Sequence, residues 1–377
     1  MSSLRVLMAG GGTAGHLFPC VAVAEELADL EPGCSIRYVG ARGRIDEQIL
    51  RERDLPHDLI SARPLPYRLS AEAVTGLVAL ARAVRRTRAI LRAFRPHIVF
   101  STGGYVGASV GIAARLARIP LLVHVADTQP DRGNRLLARW ACAITTISPE
   151  AARALGRSAT VTGNPIRREL AQATREQGTR ELGLDPDAAT IVVTGGSQGA
   201  RRLNTAVVSA LPVLLDELGA QIVHLSGALD FETLQAEVAR RFGSPPRYHL
   251  IAHLPNPGLA LAAADVAVTR AGAGSLAEVC LHGVPMIVVP YPFAGGHQRL
   301  NAAPLADAGA AVIVDDAHFT GERLVALVRD LLGDAERLAA MAAAARAAAR
   351  PDAARQVAQV LIAAARGACG GGREAVQ

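Results

Sequence analysis

Lysine is absent from this chain; all 40 basic residues are arginine. The choice of arginine therefore carries no chemical weight at any single position, and only clustering is informative. Aromatic residues are scarce, at 3%, and nucleic acid is not expected among the partners. The five cysteines (Cys20, Cys34, Cys142, Cys280, Cys369) are scattered, odd in number and without a CxxC pair. That spacing excludes a disulfide framework and a zinc ribbon, and it fits a reducing compartment. No apolar run reaches the ~18–20 residues that cross a bilayer, so any membrane contact is expected to be peripheral. The first residues lead straight into a strand pattern, without a signal-peptide cleavage signature. No His, Asp and Glu cluster has metal-ligand spacing.

What is present is a chain of 377 residues, half of them apolar and 20% charged. Such a chain is globular and long enough for two domains, each with its own core. The net charge of +6 is unevenly placed: residues 1–165 carry 21 Arg against 13 acids, the remainder 19 against 21. Only the first half is therefore expected to meet an anionic surface. A solvated surplus of charge with no partner is the plainer alternative.

Strand patterns at residues 5–9, 35–39, 97–101, 121–125, 144–147 and 159–162 alternate with helical stretches at 17–29, 44–53, 71–94, 107–117 and 133–141. Short β-branched runs separated by helices imply parallel strands with right-handed crossovers. The pattern stops at Gly163-Asn164-Pro165-Ile166-Arg167, and a polar linker follows to about residue 187. It restarts with strands at 190–194, 221–225, 248–251, 265–269, 286–289 and 311–314. Residues 321–366 read as helix, interrupted at Arg350-Pro351, and 367–377 as a tail. The expected architecture is α/β, with two doubly wound domains. Residues 1–164, joined by helix 351–366, form the first, and residues 165–350 the second.

Two glycine-rich turns each follow a strand and open a helix. One is Gly10-Gly11-Gly12-Thr13-Ala14-Gly15-His16, the other Gly195-Gly196-Ser197-Gln198-Gly199-Ala200. Glycine lets the backbone approach a ligand, and the following helix offers unpaired N–H groups to an anion. Two such cradles suit a transferase that acts on a nucleotide diphosphate and a second phosphorylated substrate. Gly10-x-Gly12-x-x-Gly15 also matches the dinucleotide fingerprint, which needs an acid at the end of the second strand. That strand ends Tyr38-Val39-Gly40-Ala41-Arg42, so the acid is missing and a nicotinamide enzyme is set aside.

Four further segments bear chemistry. His16 stands at the start of the first helix, where the positive dipole end favours the neutral ring as a proton acceptor; a capping or anion-contacting role is the alternative. Arg167 follows the interdomain turn and could clamp a diphosphate, or lie on the surface as most arginines do. In Thr269-Arg270-Ala271-Gly272-Ala273-Gly274-Ser275-Leu276-Ala277-Glu278 a strand ends and a helix starts near Ala273. The N–H groups of Ala273, Gly274 and Ser275 would face a phosphate, and Glu278 would accept both hydroxyls of a ribose or merely complement the dipole. Asp185-Pro186-Asp187 mimics a metal-binding DxD motif but reads as a turn. In the basic helix 71–95, Leu77, Leu80, Val84, Leu91 and Phe94 share one face and Arg82, Arg85, Arg86, Arg88 and Arg92 the other. Val74 and Val78 fall among the arginines, as an interfacial helix requires; the alternative is a packing helix with a solvated face.

Taken together, these segments resemble the MurG family of bacterial glycosyltransferases. Gly11 to Pro19, Gly103-Gly104-Tyr105-Val106, Gly163 to Arg167, Gly195 to Ala200, Arg270 to Glu278, His297-Gln298 and Asn301 to Leu305 carry the resemblance, which spans nearly the whole chain. It implies a GT-B fold and inverting transfer of N-acetylglucosamine from UDP-N-acetylglucosamine to an undecaprenyl-pyrophosphoryl muramoyl-pentapeptide. No metal or cofactor is implied. The enzyme would sit peripherally on the cytoplasmic face of the membrane, through helix 71–95.

On this resemblance His16, Asp127 and Glu278 are the expected catalytic set. Thr13, Ala14, Gly15, Tyr105, His124, Asp127 and Asn134 would serve the acceptor side, with the acceptor pyrophosphate on the first glycine turn. Arg167, Ser197, Asn204, Leu254, Arg270, Ala273, Gly274, Ser275, Leu276, Ala277, Glu278, Gln298 and Asn301 would serve the donor. One departure stands out: the family's His-Glu-x-Asn segment reads His124-Val125-Ala126-Asp127 here. An amide can donate a hydrogen bond, whereas a carboxylate only accepts, so the acceptor is the substrate most affected. Another polyprenyl-linked or antibiotic acceptor, or a UDP-sugar-binding relative with little turnover, are the alternatives.

Overall fold

The chain divides into two compact units, Met1–Arg167 with Asp352–Gln377, and Arg168–Pro351. A computed structural model describes residues 3–63, 71–196, 199–293 and 296–367, with 71–74 described by backbone alone. Ser197, Gln198 and the expected tail beyond Gly367 lie outside the described residues.

In the first unit β1 (Arg5–Gly10), α1 (Ala14–Leu30), β2 (Ser35–Ala41), α2 (Ile45–Glu52) and β3 (His57–Ile60) form one half. The other half runs α3 (Ala71–Phe94), β4 (Ile98–Gly103), α4 (Gly104–Ala117), β5 (Leu121–Val125), α5 (Arg132–Ala138), β6 (Ala143–Thr146), α6 (Pro149–Leu155) and β7 (Thr160–Val161). All strands are parallel, in the order β3-β2-β1-β4-β5-β6-β7. β3 is an addition to the strands expected from sequence. Its residues, His57-Asp58-Leu59-Ile60, are too few and too polar to stand out as a run, and pairing with β2 makes it a strand.

The second unit starts with α7 (Arg168–Ala171) and α8 (Arg175–Leu182). It continues with β8 (Thr190–Thr194), α9 (Arg201–Pro212), β9 (Gln221–Leu225), α10 (Phe231–Phe242), β10 (Tyr248–Ile251) and α11 (Gly258–Ala263). Next come β11 (Val266–Thr269), α12 (Ala273–His282), β12 (Met286–Val288), α13 (His297–Asp307) and β13 (Ala311–Ile313), then α14 (Gly321–Leu332) and α15 (Ala335–Ala348). The parallel order β10-β9-β8-β11-β12-β13 repeats that of the first sheet. The helical pattern breaks around Pro351, which has no N–H to continue a helix. Beyond it α16 (Ala353–Ala365) rejoins the first unit, where Val357, Ala358 and Leu361 share a core with Leu17, Val21 and Phe100.

Each sheet has an apolar core on both faces, as doubly wound folds require. Strand order reverses beside β1 and beside β8, and a ligand crevice is expected outside the carboxyl ends of the strands there. Both glycine turns lie at those ends.

Helix α3 corrects one expectation. Its buried stripe runs through Ala83, Thr87, Ile90 and Leu91. Thr87 stays on that stripe because its hydroxyl donates to the Ala83 carbonyl at 2.9 Å. Leu77, expected on the packed face, is 58% exposed beside Val78 at 45%. The side chain of Val74 lies outside the described residues.

Candidate active site

At the carboxyl end of β4 the register against β1 slips: Ala9 pairs with Ser101, but Gly10 pairs with Gly103. Thr102 is the extra residue, and a bulge of this kind re-aims its groups away from the ladder. Its carbonyl lies 3.0 Å from His16 Nδ1, and its hydroxyl donates to the His16 carbonyl at 2.6 Å. A carbonyl can only accept, so Nδ1 carries a proton, and in the neutral ring the lone pair therefore falls on Nε2. A Cβ added at Gly104 would stand 3.4 Å from that Nε2, so the glycine keeps the approach to it open. Thr13, the N-cap of α1, makes no capping bond with its side chain.

The first glycine turn is held from below by Asp46, a fully buried residue in the first turn of α2. The Gly12 N–H donates to Asp46 Oδ1 and Oδ2 at 2.9 and 2.7 Å, and the Ala41 N–H donates to Oδ2 at 2.8 Å. Gly12 has φ +97, and a Cβ there would come within 2.3 Å of the Tyr105 ring. Glycine is thus required on both counts, and Tyr105 packs on the turn. Burial, and then the Asp46 charge, raise the Tyr105 phenol above its ordinary range.

Deeper in the same unit lie His124 on β5 and Asn134 on α5. His124 is fully buried, with Nδ1 3.0 Å from Thr145 Oγ1. Burial pushes its ring down to about 4; the nearby Asn164 side chain opposes this and His16 adds to it. Among the described residues, Asn134 Oδ1 is a buried polar atom here with no hydrogen-bond partner. Val125 packs in the core, whereas Asp127, two residues past β5, is half-buried. The sequence departure at 125 is thus absorbed by packing, and the one at 127 is not. Arg167 falls in the first unit, 3% exposed, with its guanidinium stacked 3.8 Å from the Phe18 ring centre.

In the second unit, Gly199 of the second glycine turn has φ +74 and a Cβ there would lie 2.3 Å from the Ser226 carbonyl. Asn204 fixes this contact. Its Nδ2 donates to the Ser226 carbonyl at 3.1 Å and to Asp230 Oδ2 at 3.0 Å, while its Oδ1 lies 3.0 Å from His224 Nε2. The Asn204 oxygen must accept, so His224 Nε2 carries the proton and Nδ1 accepts from the Tyr248 hydroxyl at 2.8 Å. Burial holds His224 down to about 3. Both Nδ2 hydrogens and one Oδ1 lone pair of Asn204, a residue expected to serve the donor, are thus engaged inside the protein.

Beyond β11, α12 begins at Ala273, and Leu276 is the first residue whose N–H returns to the Gly272 carbonyl. Ala273, Gly274 and Ser275 thus form the open N-terminal turn, with Leu276 buried and Ala277 half-buried behind them. Glu278 sits in the second turn, half-buried, too far along to be a first-turn dipole partner. The preceding Ala271 is gripped through both backbone groups by α13. Its N–H donates to Gln298 Oε1 at 3.1 Å, and its carbonyl accepts from Asn301 Nδ2 at 3.2 Å. Gln298 Oε1 also takes the Tyr291 N–H at 2.9 Å, which leaves Nε2 as the group to offer a ligand. Arg270 is largely buried and braces the strand ends: Nη1 donates to the Val289 carbonyl at 3.0 Å and to Asp316 Oδ1 at 2.6 Å. Leu254 is half-buried after β10. Asp185 closes a turn by accepting the Asp187 N–H at 3.0 Å.

Residues 6–146 match the N-terminal domain of Glycosyltransferase family 28, and residues 190–357 match its C-terminal domain. A UDP-N-acetylglucosamine–N-acetylmuramyl-(pentapeptide) pyrophosphoryl-undecaprenol N-acetylglucosamine transferase of Nocardioides is 40% identical over 363 residues, covering 95% of this chain and 98% of that protein. The chain belongs to the MurG family. The crystal structure of Acinetobacter baumannii MurG superposes with a TM-score of 0.71 at 28% identity, over 96% of this chain and 99% of that one. A Listeria monocytogenes protein described as a putative UDP-N-acetylglucosamine 2-epimerase reaches 0.70 at 17% identity, over 96% of each chain, and shares the fold alone. The fold is accordingly GT-B.

Against this MurG frame, sequence reasoning missed Thr102, Asp46 and His224. Asp46 was visible only as an ordinary acid at a helix start, and Thr102 acquires its role from a bulge that no spacing signals.

Proposed function

We propose that this MurG-family protein transfers N-acetylglucosamine from UDP-N-acetylglucosamine to the C4 hydroxyl of undecaprenyl-pyrophosphoryl muramoyl-pentapeptide. The observation that carries the proposal is His16, with Nδ1 bound to the Thr102 carbonyl and Nε2 left to accept a proton. The acceptor oxygen attacks the sugar C1 while its proton passes to Nε2. The C1–O bond to UDP breaks with inversion, and the N-terminal turn of α12 stabilises the leaving diphosphate. Glu278 holds the ribose, Leu254 lies by the uracil, and Gln298 Nε2 donates to the sugar. Ser197 is proposed for the donor from sequence alone.

On the acceptor side, Thr13, Tyr105, Asn134 and Asp127 are proposed to join His16 in holding the sugar. A buried polar atom without a partner costs ~1–3 kcal/mol, so a ligand hydroxyl that pairs with Asn134 Oδ1 would offset that cost. Asp127 supports a second reading, in which a different polyprenyl-linked or antibiotic-type acceptor is served by a carboxylate where the family has an amide. Release of UDP from UDP-N-acetylglucosamine, measured with and without the lipid-linked muramoyl peptide, tests both. Release that needs this peptide supports the first; donor binding without such release sinks it.

Association with the cytoplasmic face of a membrane is part of the proposal. No described helix is long and apolar enough to cross one. Leu77 and Val78 are exposed at the start of α3, in a helix whose Arg82, Arg85, Arg88 and Arg92 are also exposed. Apolar side chains set among arginines suit an anionic interface.

A further inference from the structure

We propose that Asp316 is a positioning residue for the donor: through Arg202 and Arg270 it fixes the start of α9 against the start of α12, the two helices whose opening turns are read as holding the UDP diphosphate. The inference rests on the transferase reading above and adds a residue to its donor side. Asp316 follows β13, which lies two strands from β11 in the sheet. Its Oδ1 accepts from Arg270 Nη1 at 2.6 Å, and its Oδ2 lies 3.0 Å from Arg202 Nε. Arg270 directly follows β11 and leads into the open turn of α12. Arg202 is the second residue of α9, just past the second glycine turn. One carboxylate thus serves two guanidinium groups, one from each donor-side element.

The register of β8 against β11 ends at Thr194 and Thr269, so beyond those residues the ladder no longer sets the spacing of the two helix starts. The Asp316 bridge lies in that region. Its two halves differ in environment. The Asp316 and Arg270 side chains are 12% and 10% exposed, and the Val289 carbonyl also accepts from Arg270 at 3.0 Å, so this half is rigid. The Arg202 side chain is 50% exposed, and a pair of that kind adds little to stability. What it supplies is orientation. On the other flank of α9, Asp230 accepts from Asn204 and pairs with Arg201, which ties the helix to the segment after β9. Asp316 supplies the tie to β11. A diphosphate shared by two helix N-termini needs their N–H groups at one separation, and the bridge holds it.

The test is a calorimetric titration of the full-length protein and its variants with UDP. Removing a negative charge near an anion site would by itself tighten binding of the anion. Asp316→Asn should instead weaken UDP binding about tenfold, the order of one charge-assisted hydrogen bond. Asp315→Asn removes the same charge from the exposed neighbour that pairs with Arg299, and should bind UDP as the native protein does or slightly tighter. Arg202→Gln should weaken UDP binding about threefold in the native background. In the Asp316→Asn background it should cost nothing further, because its effect passes through Asp316. A folded Asp316→Asn protein with native or tighter UDP affinity overturns the proposal. So does an Arg202→Gln loss that is equal in both backgrounds, which would make Arg202 a direct ligand of the diphosphate. If Asp316→Asn does not fold, Arg202→Gln decides alone, and native affinity in that variant overturns the proposal. Failure of the transferase reading is separately visible, as a missing UDP heat with the native protein or as missing UDP release.

Discussion

Thr102 grips His16 twice: its carbonyl accepts from Nδ1 at 3.0 Å, and its hydroxyl donates to the His16 carbonyl at 2.6 Å. The first contact selects the tautomer, and the second ties the start of α1 to the bulged end of β4. A base held this way needs no reorientation before it accepts a proton. His16→Ala should therefore lower turnover by about 10²-fold or more, the lower end for a lost general base. Donor affinity should stay the same. A drop below about threefold would leave His16 with a merely structural role.

Donor recognition is expected to rest on Glu278, whose place in the second turn of α12 removes the dipole-partner reading. Glu278→Ala should weaken UDP-N-acetylglucosamine binding by about 1.5–3 kcal/mol, as for a lost charged hydrogen bond. Equilibrium binding in the presence of EDTA measures this. Unchanged affinity in the variant, or binding abolished by EDTA, would refute the assignment.

Legibility from the sequence divides along physical lines. The Val- and Ile-rich strands stand out because a strand buried on both faces needs apolar residues throughout, as in Met286–Val288. His16 and the α12 turn stand out because glycine and helix starts are local signals. Asn204 and Arg270 are legible as candidates from their motifs, whereas only the fold shows their internal partners, Ser226 and Asp230 for the one and Val289 and Asp316 for the other. Leu77 misled because a helical wheel cannot tell where along a helix the sheet beneath it ends.

Acid sensitivity follows from two buried histidines. His124 and His224 stay neutral in the folded protein, held down to about 4 and about 3 by burial, against an ordinary value of 6.5. Between pH 6.5 and 4 the unfolded chain thus binds more protons than the folded one. Stability is complete above pH 6.5 and falls as the pH drops through that window, by about 1.4 kcal/mol per pH unit for each histidine. Denaturant melts at pH 7, 6, 5 and 4 should show this slope, and His224→Gln should roughly halve it. An unchanged slope in the variant would remove His224 as a source.

Asp127→Asn restores the amide of the family pattern at a half-buried position two residues past β5, proposed here for the acceptor side. If the muramoyl lipid is the acceptor and Asp127 weakens its binding, the substitution should lower its KM several-fold while leaving donor affinity alone. Loss of activity on the muramoyl lipid would mean that the carboxylate has been put to use there. Activity gained or lost only on another acceptor would favour the second reading.

Membrane attachment is the most exposed of these expectations, because it joins two separable forces. Each arginine near an anionic leaflet contributes on the order of 1 kcal/mol, screened within a Debye length, whereas burial of apolar side chains is indifferent to salt. Arg86 is already partly engaged by Asp58 at 3.5 Å, so Arg82, Arg85, Arg88 and Arg92 should dominate the first force. Leu77 and Val78 supply the second, at 58% and 45% exposure. Sedimentation with anionic vesicles should therefore be strong at low salt and fall with rising salt. Arg82, Arg85 and Arg88 changed together to glutamine should remove the salt-sensitive part, and Leu77→Ser with Val78→Ser the salt-resistant remainder. Neither set should alter UDP-sugar affinity, since the groups proposed for the donor, Arg167 apart, belong to the other unit. Native protein that ignores anionic vesicles at low salt would reduce α3 to a sheet-packing helix with a solvated face.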